Sequence, residues 1–179
     1  MSNIIVLLGS TRDGRASEGV AKFVTSQLKT LGATVNLIDA RDILKEHPWT
    51  ETDIPAWMKL ASEADGFVIV SPEYNHGYPG AVKVVLDGAY DEYEKKPVGF
   101  VGVSSGPFGG IRAIEQLRQV CAELGMVGVH EQMLFGFADK AVSTDGVLLE
   151  PGAAQQARME TFGKAFLAWV ERLNEMRSH

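Results

Sequence analysis

Residues 66–80 have the sequence GFVIVSPEYNHGYPG, in which an apolar run ends abruptly at a polar loop. The apolar residues do not alternate with polar ones, which is typical of a strand buried on both faces of a parallel sheet. Pro79 precedes a new apolar periodic segment, as a proline in the first turn of a helix does. The stretch therefore predicts a strand, a loop and a helix, and such loops lie at the carboxyl edge of the sheet, where ligands bind.

The loop in this stretch is rich in side chains that bind ligands. Within four residues it contains an acid, an aromatic ring, an amide and an imidazole, namely Glu73, Tyr74, Asn75 and His76. Together these groups offer a stacking surface and hydrogen bonds. The alternative is a polar surface turn without a ligand, because polar loops are common on protein surfaces.

The rest of the chain alternates between strands and helices in the same way. Short apolar runs predict five strands, at residues 4–8, 34–38, 66–70, 98–103 and 126–129. Helical spacing of apolar residues predicts five helices, at residues 17–31, 55–61, 79–89, 111–124 and 159–173. Between them we expect an irregular segment at 41–52, a solvated connector at 90–96 and a long loop at 130–147. The alternation predicts a parallel sheet with helices on both faces.

Five strands favour the flavodoxin-like order 2-1-3-4-5 over the dinucleotide-binding order, which usually has six. The predicted fold class is α/β, a flavodoxin-like doubly wound five-stranded parallel sheet with three α/β/α layers. With 179 residues, the chain is expected to form one domain over residues 1–179. In this order strands 1, 3 and 4 meet at the switch point, so the loops at 9–17, 71–80 and 104–110 should line one pocket.

Composition argues against several classes of partner. The net charge is −6 and the basic residues are scattered, so neither nucleic acid nor an anionic membrane is expected as a partner. No export signal is visible and the single cysteine, Cys121, is at an apolar helix position, which predicts a buried thiol and a cytoplasmic protein. The histidines, His47, His76, His130 and His179, have no metal-ligand spacing, so no metal is expected.

The loop at residues 9–17, with the sequence GSTRDGRAS, is predicted to bind a phosphate. It ends at a helix amino terminus, which favours an anion, and it carries three hydroxyls and two arginines. It has neither the Gly-Lys-Ser/Thr of a Walker motif nor the spacing Gly-x-Gly-x-x-Gly, so nucleotide triphosphate hydrolysis and a dinucleotide fingerprint are both poorly supported. A helix cap with surface arginines is the alternative for this loop alone.

Taken together, the loops resemble those of the NADPH-dependent FMN reductase family of flavodoxin-like proteins, which includes quinone, azo-dye and chromate reductases. The similarity covers residues 3–130, and its specific part is the Pro-Glu-Tyr-Asn…Pro-Gly segment. The residues that carry it are GSTR at 9–12, SPEYNHGYPG at 71–80, Lys83, Asp87, Ser105-Gly106 and Gly109-Gly110.

The resemblance implies bound FMN, NADPH as hydride donor and a small-molecule electron acceptor. The resemblance implies that the first loop holds the phosphate and that Pro72 to His76 border the isoalloxazine. It also implies that Ser104 to Gly106 contact the pyrimidine edge of the ring. The implied cofactor-binding residues are Ser10, Thr11, Arg12, Arg15, Ser17, Pro72, Glu73, Tyr74, Asn75, His76, Ser104, Ser105, Gly106 and Gly109. Arg15 is included because many relatives have an asparagine two residues after the serine, whereas this chain has Ser17-Glu18-Gly19. Homodimers or homotetramers with the flavin near the interface are also implied.

No catalytic side chain is predicted, because the flavin carries the chemistry of hydride transfer. For His76, a ring-edge contact or an interface role is favoured over general acid catalysis, and Lys83 and Asp87 are assigned structural or interface roles. Two other functions stay open, a flavodoxin-like electron carrier and a flavin-binding regulatory or interaction protein. A carrier would ordinarily have a Thr/Ser-x-Thr-Gly-Asn-Thr phosphate loop, which this chain lacks.

Overall fold

A sheet of five parallel strands forms the centre of the computed structural model, which describes residues 1–45, 47, 52–149 and 153–177. The strands are β1 (Asn3–Leu8), β2 (Thr34–Asp39), β3 (Gly66–Pro72), β4 (Pro97–Val103) and β5 (Val127–Phe135). Their order in the sheet is β2-β1-β3-β4-β5, and every neighbouring pair is parallel. The predicted flavodoxin-like order is confirmed.

Helices cover both faces of this sheet. They are α1 (Ala16–Thr30), α2 (Ala40–Leu44), α3 (Pro55–Glu63), α4 (Gly80–Asp87), α5 (Ile111–Glu123), α6 (Ala138–Ala141) and α7 (Ala153–Arg177). Successive residues of β1 point to opposite faces, so Ile4 and Val6 pack with α1 and α7, while Ile5 and Leu7 pack with α2 to α5. The strand is apolar on both sides because each side packs into a separate hydrophobic core. Within the described ranges, no helix is long and apolar enough to span a membrane.

The end of the sheet differs from the prediction at β5. This strand continues to Phe135, so the predicted long loop at 130–147 is wrong for its first six residues and again at α6. The register slips between Val98 and Phe100 of β4, which leaves a bulge in β5. Arg118 stabilises the bulge by donating to the Val129 carbonyl at 3.0 Å. A polar edge strand interrupted by a bulge shows little of the apolar pattern that identifies buried strands.

The segment predicted as a solvated connector is partly buried. Tyr93 is fully buried, and its hydroxyl oxygen accepts a hydrogen bond from the Trp57 indole at 2.5 Å. The Lys96 ammonium donates to the carbonyls of Ala61 and Ser62, in the last turn of α3, at 2.7 and 3.0 Å. The Ala61 carbonyl also accepts the Ala64 N–H at 3.3 Å, but carbonyls in the last turn of a helix lack the usual intrahelical partners, so the lysine caps α3 from a distant part of the chain. Helix α2 also falls in a segment predicted to be irregular, of which residues 46 and 48–51 lie outside the described residues.

Lys96 gives a prediction about stability and pH. Burial lowers the pKa of its ammonium to about 8, against about 10.4 in an unfolded chain. Between these two values the unfolded state binds more protons at this residue, so the contribution of Lys96 to the free energy of unfolding rises with pH. We expect the free energy of unfolding of the wild type, minus that of Lys96→Met, to be flat below pH 8 and to increase from pH 8 to 10.

Urea denaturation at each pH measures this difference. Burial also raises the pKa of the Cys121 thiol to about 12, which destabilises the fold at high pH, but both proteins contain Cys121 and its contribution cancels. The thiol is buried, as predicted from its position. If the difference in free energy of unfolding between wild type and Lys96→Met stays constant from pH 7 to 10, Lys96 has the same pKa in the folded and unfolded states and the prediction is wrong.

Candidate cofactor site

Three loops converge at the carboxyl edge of the sheet, after β1, β3 and β4. Because β3 lies between β1 and β4, its loop contacts the loop after β1 and the end of β4. The Tyr74 hydroxyl is hydrogen-bonded to Ser10 Oγ at 2.9 Å, and the Glu73 N–H donates to the Val103 carbonyl at 3.1 Å. The loops lie at one edge of the sheet as the strand order predicted, and the pocket that they were expected to line together stays a prediction.

The amino terminus of α1 is open to an anion. The helix begins at Ala16, and no side chain of the preceding residue, Arg15, caps its first N–H groups. Ser17, in the first turn, is only 2% exposed, and its Oγ has no hydrogen-bond partner among the residues that the structure describes. A buried hydroxyl without a partner is costly, and a helix amino terminus favours a negatively charged ligand. The residues present therefore fit the phosphate group of a nucleotide.

The two arginines of the first loop have different surroundings. The guanidinium of Arg15 is buried, forms an ion pair with Asp39 and donates to the Ser10 carbonyl. Among the guanidinium nitrogens of Arg15, Nε has no hydrogen-bond partner in the described part of the chain, although it lies 3.6 Å from Glu18 Oε2. A phosphate contact from Arg15 would have to use that atom. Arg12 is exposed, and its guanidinium carbon lies 3.9 Å from the centroid of the Tyr74 ring. Since no described residue accepts a hydrogen bond from it, the Arg12 guanidinium has its donors free for a ligand.

Arg41 is a positioning residue that the sequence analysis missed. Its guanidinium donates to the carbonyls of Thr11 and Arg12 at 3.0 and 2.6 Å, and it lies 3.1 Å from Asp13. These bonds hold the first loop in place from α2. The predicted strand order places β2 beside β1. Polar residues just after β2 could therefore have been predicted to lie near the loop after β1.

The turn from Tyr74 to Gly77 has an unusual backbone. Two hydrogen bonds, of 2.8 and 3.0 Å, join the N–H and carbonyl groups of these two residues. The central residues, Asn75 and His76, have φ values of 50° and 71°, in the left-handed region that favours glycine. Gln116 holds the turn by donating to the His76 carbonyl at 3.1 Å. Such strain persists only where its surroundings enforce it, and it concentrates at functional sites.

Glu73 connects the second loop to α5. Its side chain is 6% exposed and pairs with the Arg112 guanidinium, while Oε2 accepts the Arg112 backbone N–H at 3.2 Å. The carboxylate therefore caps the amino terminus of α5, where negative charge is favourable. These partners give Glu73 a positioning role, and its predicted contact with the cofactor stays a prediction.

In the third loop, side-chain and backbone bonds fix the local shape. The Ser104 hydroxyl donates to the Gly106 carbonyl at 2.8 Å and accepts the Gly109 N–H at 2.9 Å. Gly109 has a φ of 61°, and a Cβ there would lie 2.7 Å from Leu134 Cβ. Gly109 thus allows a close backbone approach to β5. Ser105 is exposed and a Cβ at Gly106 would meet nothing within 4 Å, so these two residues face open space.

Two other predictions concern charged residues near the site. Lys83 and Asp87 form an exposed pair one helical turn apart on α4, with Nζ 2.7 Å from Oδ1. Across residues 1–45, 47, 52–149 and 153–177, no group of three or more His, Cys, Asp or Glu side chains is arranged to hold a metal ion. His179 lies outside the described residues.

A flavodoxin-like sheet with an open helix amino terminus and polar loops at its switch point defines a nucleotide-binding class of fold. The family model for NADPH-dependent FMN reductase matches residues 2–140, so the chain belongs to the NADPH-dependent FMN reductase family, whose members are oxidoreductases that use FMN and NAD(P)H.

Individual relatives agree with this membership. An NAD(P)H-dependent FMN reductase of Schizosaccharomyces pombe is 33% identical over 136 residues, covering 69% of this chain and 67% of the relative. A 2-hydroxy-1,4-benzoquinone reductase of Burkholderia is 27% identical over 177 residues, covering 93% and 95%. Among solved structures, the flavoenzyme FerB of Paracoccus denitrificans superposes with a TM-score of 0.76 at 21% identity, covering 96% of this chain and 98% of FerB.

Proposed function

We propose that this protein oxidises NADPH and, through bound FMN, reduces a small quinone-like acceptor. The observation that carries the proposal is the open amino terminus of α1, where the buried Ser17 hydroxyl has no described partner. The relative named for reduction of a benzoquinone, which matches nearly the whole chain, supports a quinone as the acceptor.

The residues of the chain have separate parts in this proposal. Ser17, Arg12 and the first N–H groups of α1 hold the phosphate, assisted by Ser10, whose hydroxyl also fixes Tyr74. The turn from Tyr74 to Gly77 borders the ring, and Ser105 meets its edge. Bound FMN would supply the redox chemistry, acceptance of a hydride from a nicotinamide and two-electron reduction of the acceptor. The protein contributes a fixed geometry in which a flat substrate reaches the ring, and no acid or base side chain is needed.

We also infer that residues 1–179 form one flavodoxin-like FMN-binding domain that assembles as a homodimer or homotetramer in the cytoplasm. The two extensive cores on opposite faces of one sheet support a single domain. The family resemblance supports the assembly and a flavin site near a subunit contact.

The test is a steady-state assay of the FMN-loaded protein with NADPH and a naphthoquinone, together with titrations of FMN and FAD. We expect sustained NADPH oxidation that depends on the quinone, and tighter binding of FMN than of FAD. An adenylate tail on the phosphate would have to displace the contacts that close around a terminal monophosphate. Equal affinity for FAD, or no NADPH oxidation with any quinone, would contradict the proposal.

Ser17→Ala should affect the free protein and the complex in opposite directions. Without FMN, the substitution removes an unsatisfied buried hydroxyl, so we expect the free energy of unfolding to rise by about 1 kcal/mol. With FMN, it removes a hydrogen bond to the phosphate, so the binding free energy should weaken by about 1 kcal/mol. Urea denaturation and FMN titration measure the two effects. Thr25→Ala, which removes another unpartnered buried hydroxyl away from the loop, is the control and should leave FMN binding unaltered.

A further inference from the structure

Phe137 has a backbone conformation that bulky residues rarely adopt. Its φ and ψ are both 47°, in the left-handed region, directly before α6. For a bulky side chain this conformation is an outlier that costs free energy. A glycine would make the same turn without that cost. Burial of the ring does not offset it either, because Phe137 is 49% exposed.

Backbone contacts fix Phe137 beside the third loop of the cofactor site. Its N–H donates to the Gly106 carbonyl at 3.0 Å. The preceding residue, Gly136, lies so close to this loop that an added Cβ would be 2.7 Å from the Pro107 carbonyl oxygen. Since β5 is the neighbour of β4, Phe137 leaves the sheet at the same carboxyl edge, about 4.8 Å further along it.

A second exposed aromatic ring lies on the loop to which Phe137 is bonded. Phe108 is 60% exposed, and the Arg112 guanidinium carbon is 5.0 Å from its ring centroid. Two exposed phenylalanines thus occur on neighbouring loops at the carboxyl edge of the sheet. Exposed aromatic faces bind other planar rings by offset or edge-to-face stacking.

We propose that the ring of Phe137 forms one wall of the acceptor site and stacks against a planar, quinone-class acceptor, with Phe108 as a second wall. This inference rests on the proposed function and assigns Phe137 a role in selecting flat acceptors. The strained backbone then has a reason, because it presents the ring to a substrate that arrives from solvent, which a glycine cannot do. The contacts of residues 136 and 137 with the third loop hold the ring at a fixed distance from the residues assigned to the flavin edge.

The experiment measures binding of a naphthoquinone to the oxidised, FMN-loaded protein by calorimetry, without NADPH. We expect Phe137→Gly to weaken quinone binding about five- to tenfold, the loss expected for one aromatic stacking contact. Phe137→Tyr keeps the ring and should stay within about twofold of the wild type. The same glycine variant should unfold at a higher urea concentration without FMN, because it relieves the left-handed strain.

Lys95→Gly is the matched control. Lys95 has a φ of 58° and lies just before β4, at the opposite edge of the sheet. This variant should also gain stability, but it should bind the quinone as the wild type does. Unaltered quinone binding by Phe137→Gly, or an equal loss in both glycine variants, would overturn the proposal. So would a loss that accompanies dissociation of an oligomer in sedimentation, because the ring would then belong to a contact between copies. NADPH is absent from this assay, so a failure of the proposed function appears separately, as wild-type protein that binds quinone but does not oxidise NADPH.

Discussion

Arg12→Ala is expected to weaken FMN binding by about 1.5–3 kcal/mol, the range for a hydrogen bond to a charged group. The guanidinium donates to no described residue, so its donors are available to the phosphate, and it lies against the face of Tyr74. Loss of this exposed cation–π contact should cost the fold about 0.5–1 kcal/mol. Titration of the apoprotein with FMN, followed by flavin fluorescence, gives the dissociation constant.

Arg15→Ala is the informative comparison, because the two arginines are three residues apart in one loop. Arg15 is buried and paired with Asp39, so its removal leaves a carboxylate without its partner and should mainly lower the free energy of unfolding. Arg12→Lys, which keeps the charge and loses the planar fork, should fall between wild type and Arg12→Ala in FMN affinity. An unaltered dissociation constant in Arg12→Ala would remove this residue from the phosphate site.

Glu73→Ala is expected to lower both the stability of the fold and its affinity for FMN. It removes the cap of α5 and leaves the Arg112 guanidinium without its carboxylate. Breaking a fully buried ion pair costs about 3–5 kcal/mol, and because Arg112 is itself partly exposed we expect about 2 kcal/mol. The loop after β3 would lose its side-chain contact with α5, so FMN affinity should fall as well.

Urea denaturation and FMN titration of Glu73→Ala measure the two losses. Glu73→Gln keeps an acceptor for the Arg112 N–H, so it should lose about half as much stability. Glu115→Ala removes an exposed carboxylate from the same helix and should alter neither quantity measurably. Loss of FMN affinity without loss of stability in Glu73→Ala would mean that the carboxylate contacts the cofactor directly, as its sequence motif implied.

The fold was predictable where the chain is buried on both sides. The strands β1, β3 and β4 are continuous apolar runs because each lies between two cores, and that pattern is visible in the sequence. The second half of β5 was not predictable, because an edge strand with a bulge has polar residues where a buried strand would be apolar. Burial of Tyr93 and Lys96 depends on Trp57 and on the end of α3, more than 30 residues away, and composition alone suggested solvent exposure.

The candidate site likewise has features that the sequence predicted and features that it did not. The strand order predicted that three loops would meet, and the structure places them at one edge of the sheet. The partners of individual side chains depend on contacts that are distant in sequence, such as Asp39 for Arg15 and Arg112 for Glu73. The left-handed residues Asn75, His76 and Phe137 are likewise invisible in a sequence pattern, since glycine is the usual residue there.

Anaerobic addition of NADPH to the FMN-loaded protein tests the central claim most directly. We predict that one equivalent of NADPH abolishes the absorbance of oxidised FMN and that a stoichiometric amount of naphthoquinone restores it. Dithionite treatment of the same sample is the control that the bound flavin is accessible to reduction. A spectrum that NADPH leaves unaltered, while dithionite bleaches it, would contradict the assignment of this protein as an NADPH-oxidising enzyme.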